Sequence, residues 1–391
     1  MTVTVRSFAK INLGLRIGPA RPDGFHELLT VYQTIGLHDV IRVSVGRGSG
    51  IEVRCEDPRV PRDESNTCYR IVERAMSALS ANGRVVIEIE KRLPVQGGLG
   101  GASANAVATL LALERALKNV LPAAERLRIA AEVGSDLPLF LVGGAILGVG
   151  RGEQVFPVPD FPATACVVVT PEIGVSTPKA FAEWDQRMQG LKPTSSSVLD
   201  VALKAHSSTT TSDAALKGRS STAASVASMS SSKNPAELCS AWTDDGARPH
   251  MDRDAADGRD DRKLTTCTPS DRMNELGYGL SAWLSEMYSG APLKRGRAEN
   301  PLLALDRAGI ENDFEQVVFP EYPELGEAKR ALVRAGAKYA SLSGSGSTLY
   351  GLFASRNAAE AAVRKLRKAG WAAQATATLT RTAYWRGFFK A

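Results

Sequence analysis

Cysteine, aromatic residues and long apolar runs are all scarce in this chain. Its five cysteines (Cys55, Cys68, Cys166, Cys239 and Cys267) are odd in number and widely spaced, and no C-x-x-C pair occurs. That pattern excludes a disulfide framework and a cysteine zinc site, and it points to a reducing compartment. A membrane span needs about 20 consecutive apolar residues. The longest greasy stretch, Leu137 to Val149, is shorter and is broken by Pro138, Gly143, Gly144 and Gly148. Met1–Arg6 alternates like a strand and lacks the charged and apolar regions of a secretory signal, so a cytoplasmic location is expected. Aromatics make up only 6% of the 391 residues, against 43% apolar and 23% charged. Collagen, coiled coil and wholly disordered chain are thereby excluded. The formal net charge of +6 suits an anionic small molecule as well as nucleic acid and does not separate them. No basic run is interleaved with aromatics, so nucleic acid is not an expected partner.

One segment departs from this composition. Residues 205–270 hold only four Leu, Ile or Val and one aromatic, Trp242. Within them, residues 205–234 carry 14 Ser or Thr in 30 positions. So few apolar side chains do not offset the roughly 1–2 kcal/mol per residue lost on ordering a backbone, and a disordered insertion is expected there.

Around it, strand and helix signals alternate. Strand periodicity marks Thr2–Phe8, Ile11–Ile17, Ile41–Val45 and Val85–Glu90, and a continuous apolar run marks Ala165–Thr170. Helical spacing marks Asn66–Leu79, Ser103–Val120 and Glu125–Val133. Towards the C-terminus the expected order is helix Glu321–Ala335, strands Ala337–Leu342 and Leu349–Ala354, helix Asn357–Ala369 and strand Trp371–Thr378. Mixed elements in both halves predict an α+β protein with two layers.

The strongest chemical signal is Pro94-Val95-Gln96-Gly97-Gly98-Leu99-Gly100-Gly101-Ala102-Ser103-Ala104. A strand ends, Pro94 turns the chain, four glycines follow and a helix is expected to open at Ser103. Glycines let backbone N–H groups approach a ligand without a Cβ in the way. A helix N-terminus adds unpaired N–H groups and partial positive charge, so the loop is a candidate cradle for nucleotide phosphates. Ser103 is placed to cap that helix or to offer its hydroxyl to Mg²⁺. Neither a Walker loop nor a clean dinucleotide fingerprint is present. Two further residues have a joint use in phosphoryl transfer to an alcohol. Lys10 interrupts an apolar strand, and Asp136 sits in a turn expected to precede an apolar strand. An aspartate can take the hydroxyl proton, and a nearby ammonium keeps it ionised.

Four stretches resemble the GHMP kinase superfamily, and within it the branch that phosphorylates 4-diphosphocytidyl-2-C-methyl-D-erythritol. They are Phe8–Leu13, Arg21–Leu28, Leu93–Asn105 and Gly134–Pro138; a fifth, Leu342–Ser347, resembles the superfamily's C-terminal glycine motif. The resemblance implies a two-domain fold, with an N-terminal half like domain 2 of ribosomal protein S5 over residues 1–163. The C-terminal half, residues 164–391, would be ferredoxin-like and interrupted by the insertion. It implies transfer of the γ-phosphate of ATP, with Mg²⁺, to the 2-hydroxyl of a small substrate carrying a cytidine diphosphate, in the non-mevalonate route to isoprenoid precursors. By the same resemblance Asp136 is the general base and Lys10 its partner. Residues Pro94–Ala104 hold ATP phosphates, and Asn66 lies on the adenine side. His26 and Asn12 contact the substrate, with Phe25 and Phe181 stacking on its cytosine. Phe25 replaces the branch's usual tyrosine, which keeps a ring face and loses a phenol hydrogen bond. Ala102 stands where glycine is common. Arg21, Arg151 and Lys179 are candidates for the diphosphate.

Overall fold

The computed structural model describes residues 1–95, 97–189, 269–288, 300–303, 305 and 309–389. The expected insertion at 205–270 falls almost wholly outside the described residues. The described residues belong to one compact unit.

The first half is built on two long strands. β1 (Thr2–Ala20) and β2 (His26–Gly46) pair antiparallel, so the two strands expected at Thr2–Phe8 and Ile11–Ile17 are one. Register shifts between Phe8 and Lys10 and between Asn12 and Gly14 mark irregularities that re-aim the side chains between them. β3 (Ile51–Cys55), β4 (Arg84–Glu90), β5 (Ala145–Val149) and β6 (Gln154–Pro157) complete a six-stranded sheet in the order β3-β4-β2-β5-β6, with β1 on β2. Helices α1 (Thr67–Ala78), α2 (Gly101–Leu117) and α3 (Ala123–Val133) cover it. Their apolar stripes bury Ile71, Val107, Leu110 and Ile129 against Val43, Ile87 and neighbouring strand residues. The acid at 136 precedes a short helix, α4 (Leu137–Phe140), and not a strand. Pro138 suits such a helix start, since its missing N–H has no partner there anyway.

The second half is an antiparallel sheet of β7 (Ala165–Val169), β8 (Tyr339–Leu342), β9 (Leu349–Phe353) and β10 (Ala373–Ala377), ordered β10-β7-β9-β8. That is the ferredoxin-like strand order the sequence resemblance implied. Its remaining helices are α5 (Thr177–Gln189), α6 (Pro269–Tyr288), α7 (Glu315–Glu321), α8 (Pro323–Arg334), α9 (Arg356–Lys368) and α10 (Arg381–Phe388). The helix expected at Glu321–Ala335 is α8, which starts two residues later, after α7 has ended at Glu321. Tyr322 departs from helical backbone, because the residue before a proline is disfavoured there and Pro323 follows.

A third apolar cluster joins the two sheets. Ala9, Ile11, Leu13 and Val31 from β1 and β2 pack with Cys166, Val168, Tyr350 and Leu352 from the second sheet. Strand residues i and i+2 share a face. Lys10 and Asn12 therefore point away from that cluster, on the face opposite Ile11 and Leu13.

Candidate active site

A cleft of about 860 Å³ opens where β1, the glycine loop, α4 and the loop between β8 and β9 meet. Lys10 is buried beside it and donates from Nζ to Asn12 Oδ1 at 2.7 Å. Asn12 in turn donates to Thr30 Oγ1 at 2.8 Å. The same Lys10 ammonium stands 3.4 Å from Asp136 Oδ2. The other carboxylate oxygen, Oδ1, accepts from the Tyr32 hydroxyl at 3.1 Å. Burial, and then the charge of Asp136, push the Tyr32 phenol well above its ordinary value. It stays protonated and acts as a donor. Asp136 keeps 33% of its side chain exposed, which leaves it open to the cleft. The ion pair that the sequence only suggested is therefore made, and it is oriented from two sides.

The glycine loop is pinned at three points. At its entry, buried Asp39 accepts from the backbone N–H groups of Arg92 and Leu93, each at 2.7 Å. Asp39 also accepts from Lys91 Nζ at 2.7 Å and from Asn105 Nδ2, on α2, at 2.9 Å. In the middle, Gly97 O accepts from the N–H of Thr348 and Gly98 O from the hydroxyl of Ser343, so the two glycine motifs are hydrogen-bonded to each other. At the exit, Leu99 O accepts from the N–H of Lys10 at 3.0 Å. Gly98 has φ +77° and lies against Ser343; a Cβ there would come within 2.1 Å of its carbonyl oxygen. Only glycine fits that approach.

Helix α2 starts two residues earlier than expected. Gly100, in the left-handed region at φ +69°, is the N-cap, so Ser103 is not the capping residue. Ser103 lies in the first turn and lines the cleft, and its hydroxyl makes no hydrogen bond among the described residues. The N–H groups of Gly101, Ala102 and Ser103 have no partner within the helix, and the partial positive charge of the helix end lies there. Exposed Ala102 carries its Cβ without a clash. Pro94, Val95, Gly97, Gly98, Leu99, Gly100 and Gly101 line the same cleft. Ala104 is packed into the core, and Gln96 lies outside the described residues.

Asn66 also lines the cleft, but its amide is engaged. It caps α1 by accepting from Cys68 N at 2.8 Å, and it donates to Pro61 O at 2.6 Å. His26 is buried, with Nε2 2.7 Å from Asp185 Oδ1. The Phe181 ring stacks on the imidazole at 4.9 Å between centroids and 11° between planes. Phe25 is half exposed, lies outside the cleft and sits under the Arg151 guanidinium at 4.8 Å. The three cations suggested for a diphosphate already face carboxylates. Arg21 bonds Glu27 at 2.5 Å, Arg151 lies 3.8 Å from Glu153, and Lys179 pairs with Glu321. Tyr32, Thr30, Asp39 and Asp185 went unnoticed in the sequence. Tyr32 stands opposite Asn12 in the β1–β2 register, so only a known strand pairing would have flagged it.

Comparison with known proteins places this architecture. Residues 66–144 match the GHMP kinases N terminal domain, and residues 293–371 match the GHMP kinases C terminal family. The glycine cradle and the two sheets are thus those of a GHMP kinase. The 4-diphosphocytidyl-2-C-methyl-D-erythritol kinase of Solibacter usitatus (strain Ellin6076) is 33% identical over 362 residues, covering 93% of this chain and 84% of that protein. The enzyme of the same name from Desulfitobacterium hafniense (strain Y51) is 40% identical over 184 residues, 47% of this chain and 62% of that one. A solved 4-(cytidine 5'-diphospho)-2C-methyl-D-erythritol kinase shares the fold with a TM-score of 0.59 at 24% identity, over 96% of this chain and 98% of that one. A homoserine kinase from Cytophaga hutchinsonii ATCC 33406 does so at 0.58 and 16%, over 97% and 95%. The chain belongs to the 4-diphosphocytidyl-2-C-methyl-D-erythritol kinase family.

Proposed function

We propose that this chain transfers the γ-phosphate of ATP to the 2-hydroxyl of 4-diphosphocytidyl-2-C-methyl-D-erythritol, releasing ADP. The observation that carries the reading is the Lys10–Asp136 pair at 3.4 Å, set in the same cleft as a pinned glycine loop. In this reading Asp136 accepts the hydroxyl proton as the oxygen attacks the phosphorus. Lys10 stabilises the developing alkoxide. Tyr32 and Asn12 hold the two charged groups in place. The backbone N–H groups at the start of α2 receive the phosphates. His26 reads the cytosine.

No group of three or more His, Cys, Asp or Glu side chains able to hold a metal occurs among the described residues. Mg²⁺ is usually held by one or two carboxylates together with substrate phosphates. The unpartnered Ser103 hydroxyl, together with substrate phosphates, fits that mode, in which the ion would neutralise phosphate charge. Among the described residues no helix is long and apolar enough to cross a membrane.

A coupled ADP-release assay tests the reading. It uses Mg-ATP with the cytidylated substrate, with the same phosphosugar lacking its cytidyl group, and with Asp136→Asn as blank. Turnover with the cytidylated substrate alone is expected. ATP binding without turnover of either compound would refute the assignment and leave only a GHMP kinase of other specificity.

A further inference from the structure

His26 and its neighbours carry a chemical instruction that the catalytic pair does not use. The imidazole is fixed on a ring face and at one nitrogen. Phe181 covers the face, and Phe314 backs Phe181 edge-on at 5.0 Å and 76°. Nε2 lies 2.7 Å from Asp185 Oδ1, and Asp185 follows Phe181 by four residues on α5, so both side chains lie on one helix face. An ionised carboxylate only accepts hydrogen bonds. The hydrogen between them therefore belongs to Nε2. In a neutral imidazole this leaves Nδ1 as a bare acceptor. Nδ1 makes no hydrogen bond to any described residue.

We infer that Asp185 is a positioning residue that sets the base specificity of the enzyme by fixing the His26 tautomer. The inference rests on the proposed function. An acceptor at Nδ1 matches the 4-amino group of cytosine, which donates. Uracil carries a carbonyl oxygen at that position, so lone pair would face lone pair. Sites that hold a buried polar group ready for one partner reject the analogue that leaves it unpaired, often by large factors. A diphosphocytidyl substrate is accepted and its diphosphouridyl counterpart refused, although the two differ by one functional group. Asp185 itself need not touch the nucleotide.

The test compares kcat/KM for the cytidyl substrate and its uridyl analogue at about pH 8.5, where free imidazole is neutral. In Asp185→Asn the amide can present either its oxygen or its NH₂ to Nε2, so both tautomers become available. The cytidyl-to-uridyl ratio is expected to fall by about tenfold or more, through KM for the nucleotide substrate, with KM for ATP unmoved. Asp185→Glu, which keeps a carboxylate, should retain most of the ratio. Asp185→Ala serves if the asparagine variant fails to fold. A merely structural role would slow both substrates alike, and an unchanged ratio in these variants overturns the inference. A second readout needs no substrate: ¹⁵N-resolved NMR of the His26 ring, assigned by its loss in His26→Gln. It should show hydrogen on Nε2 in the wild type and a mixture in Asp185→Asn. Hydrogen on Nδ1 in the wild type overturns the inference. A wild type with the expected tautomer but no turnover of the cytidyl substrate would instead refute the proposed function.

Discussion

A double-mutant cycle on Lys10 and Asp136 tests the centre of the mechanism. The two charges lie 3.4 Å apart, with the lysine side chain 4% exposed and the aspartate 33%. At an effective dielectric near 20, that distance corresponds to about 5 kcal/mol of attraction before desolvation. Solvent reaches one third of the carboxylate, so a coupling of roughly 2–3 kcal/mol is expected to survive in the transition state. Removing a positioned general base slows turnover by about 10²–10⁴-fold. Asp136→Asn should therefore lose at least about a hundredfold in kcat while keeping its fold, because Asparagine can still accept from Tyr32 at the same place. Lys10→Met keeps the volume of the buried stem and removes the charge, and a loss of about 30–150-fold is expected from the coupling alone. If the residues act as one unit, the double variant is no slower than Asp136→Asn by itself. The measurements are steady-state kcat and KM for both substrates, with circular dichroism and thermal midpoints as folding controls. A double variant whose losses multiply would show that the two residues work independently. Retention of kcat within about tenfold in Asp136→Asn would remove the base assignment.

Three further outcomes follow from the geometry. Asp39→Ala strips four donors of their acceptor and leaves Lys91 buried without its counter-charge. A stability loss of about 3–5 kcal/mol is expected on denaturant unfolding, with a raised KM for ATP; unchanged stability would refute the clamp. Gly98→Ala forces a left-handed backbone on alanine and drives its Cβ into the Ser343 carbonyl, so ATP affinity should fall along with about 1–3 kcal/mol of stability; wild-type ATP binding by this variant would mean the loop does not hold the nucleotide. Burial raises the phenol values of Tyr32, Tyr339, Tyr350 and Tyr384 above the ordinary 10. A group whose folded value is raised binds its proton more tightly in the folded state, so this contribution is whole below about pH 10 and is lost as the pH climbs further. A near-ultraviolet titration should show these four of the eight tyrosines ionising only on alkaline unfolding. Smooth ionisation of all eight in the folded protein would contradict their burial.

The parts of this protein legible in sequence are those where chemistry and local backbone demand the same residue. The glycine loop is visible because a backbone that approaches Ser343 at φ +77° tolerates only glycine, and four glycines before an Ala-rich helix have few other uses. Lys10 is visible because an ammonium in an apolar strand is expensive to bury. Its partner was legible only as a candidate, since 126 positions separate Lys10 from Asp136 and no periodicity connects them. The supporting residues were hidden for the same reason. Asp39 looks like an ordinary polar residue in a strand until β2 is paired, and then it faces the entry of the loop and Asn105 of α2 together. Tyr32 looks like a core aromatic, and it is one, apart from a single oxygen. Helix ends misled for a local reason. Serine is the usual cap and Ser103 the natural choice, yet glycine in the left-handed region starts α2 at Gly101 and frees the serine hydroxyl for the cleft. That displacement by two residues leaves the Ser103 hydroxyl beside the unpaired N–H groups of Gly101, Ala102 and Ser103, the end of α2 to which the proposed function brings the phosphates.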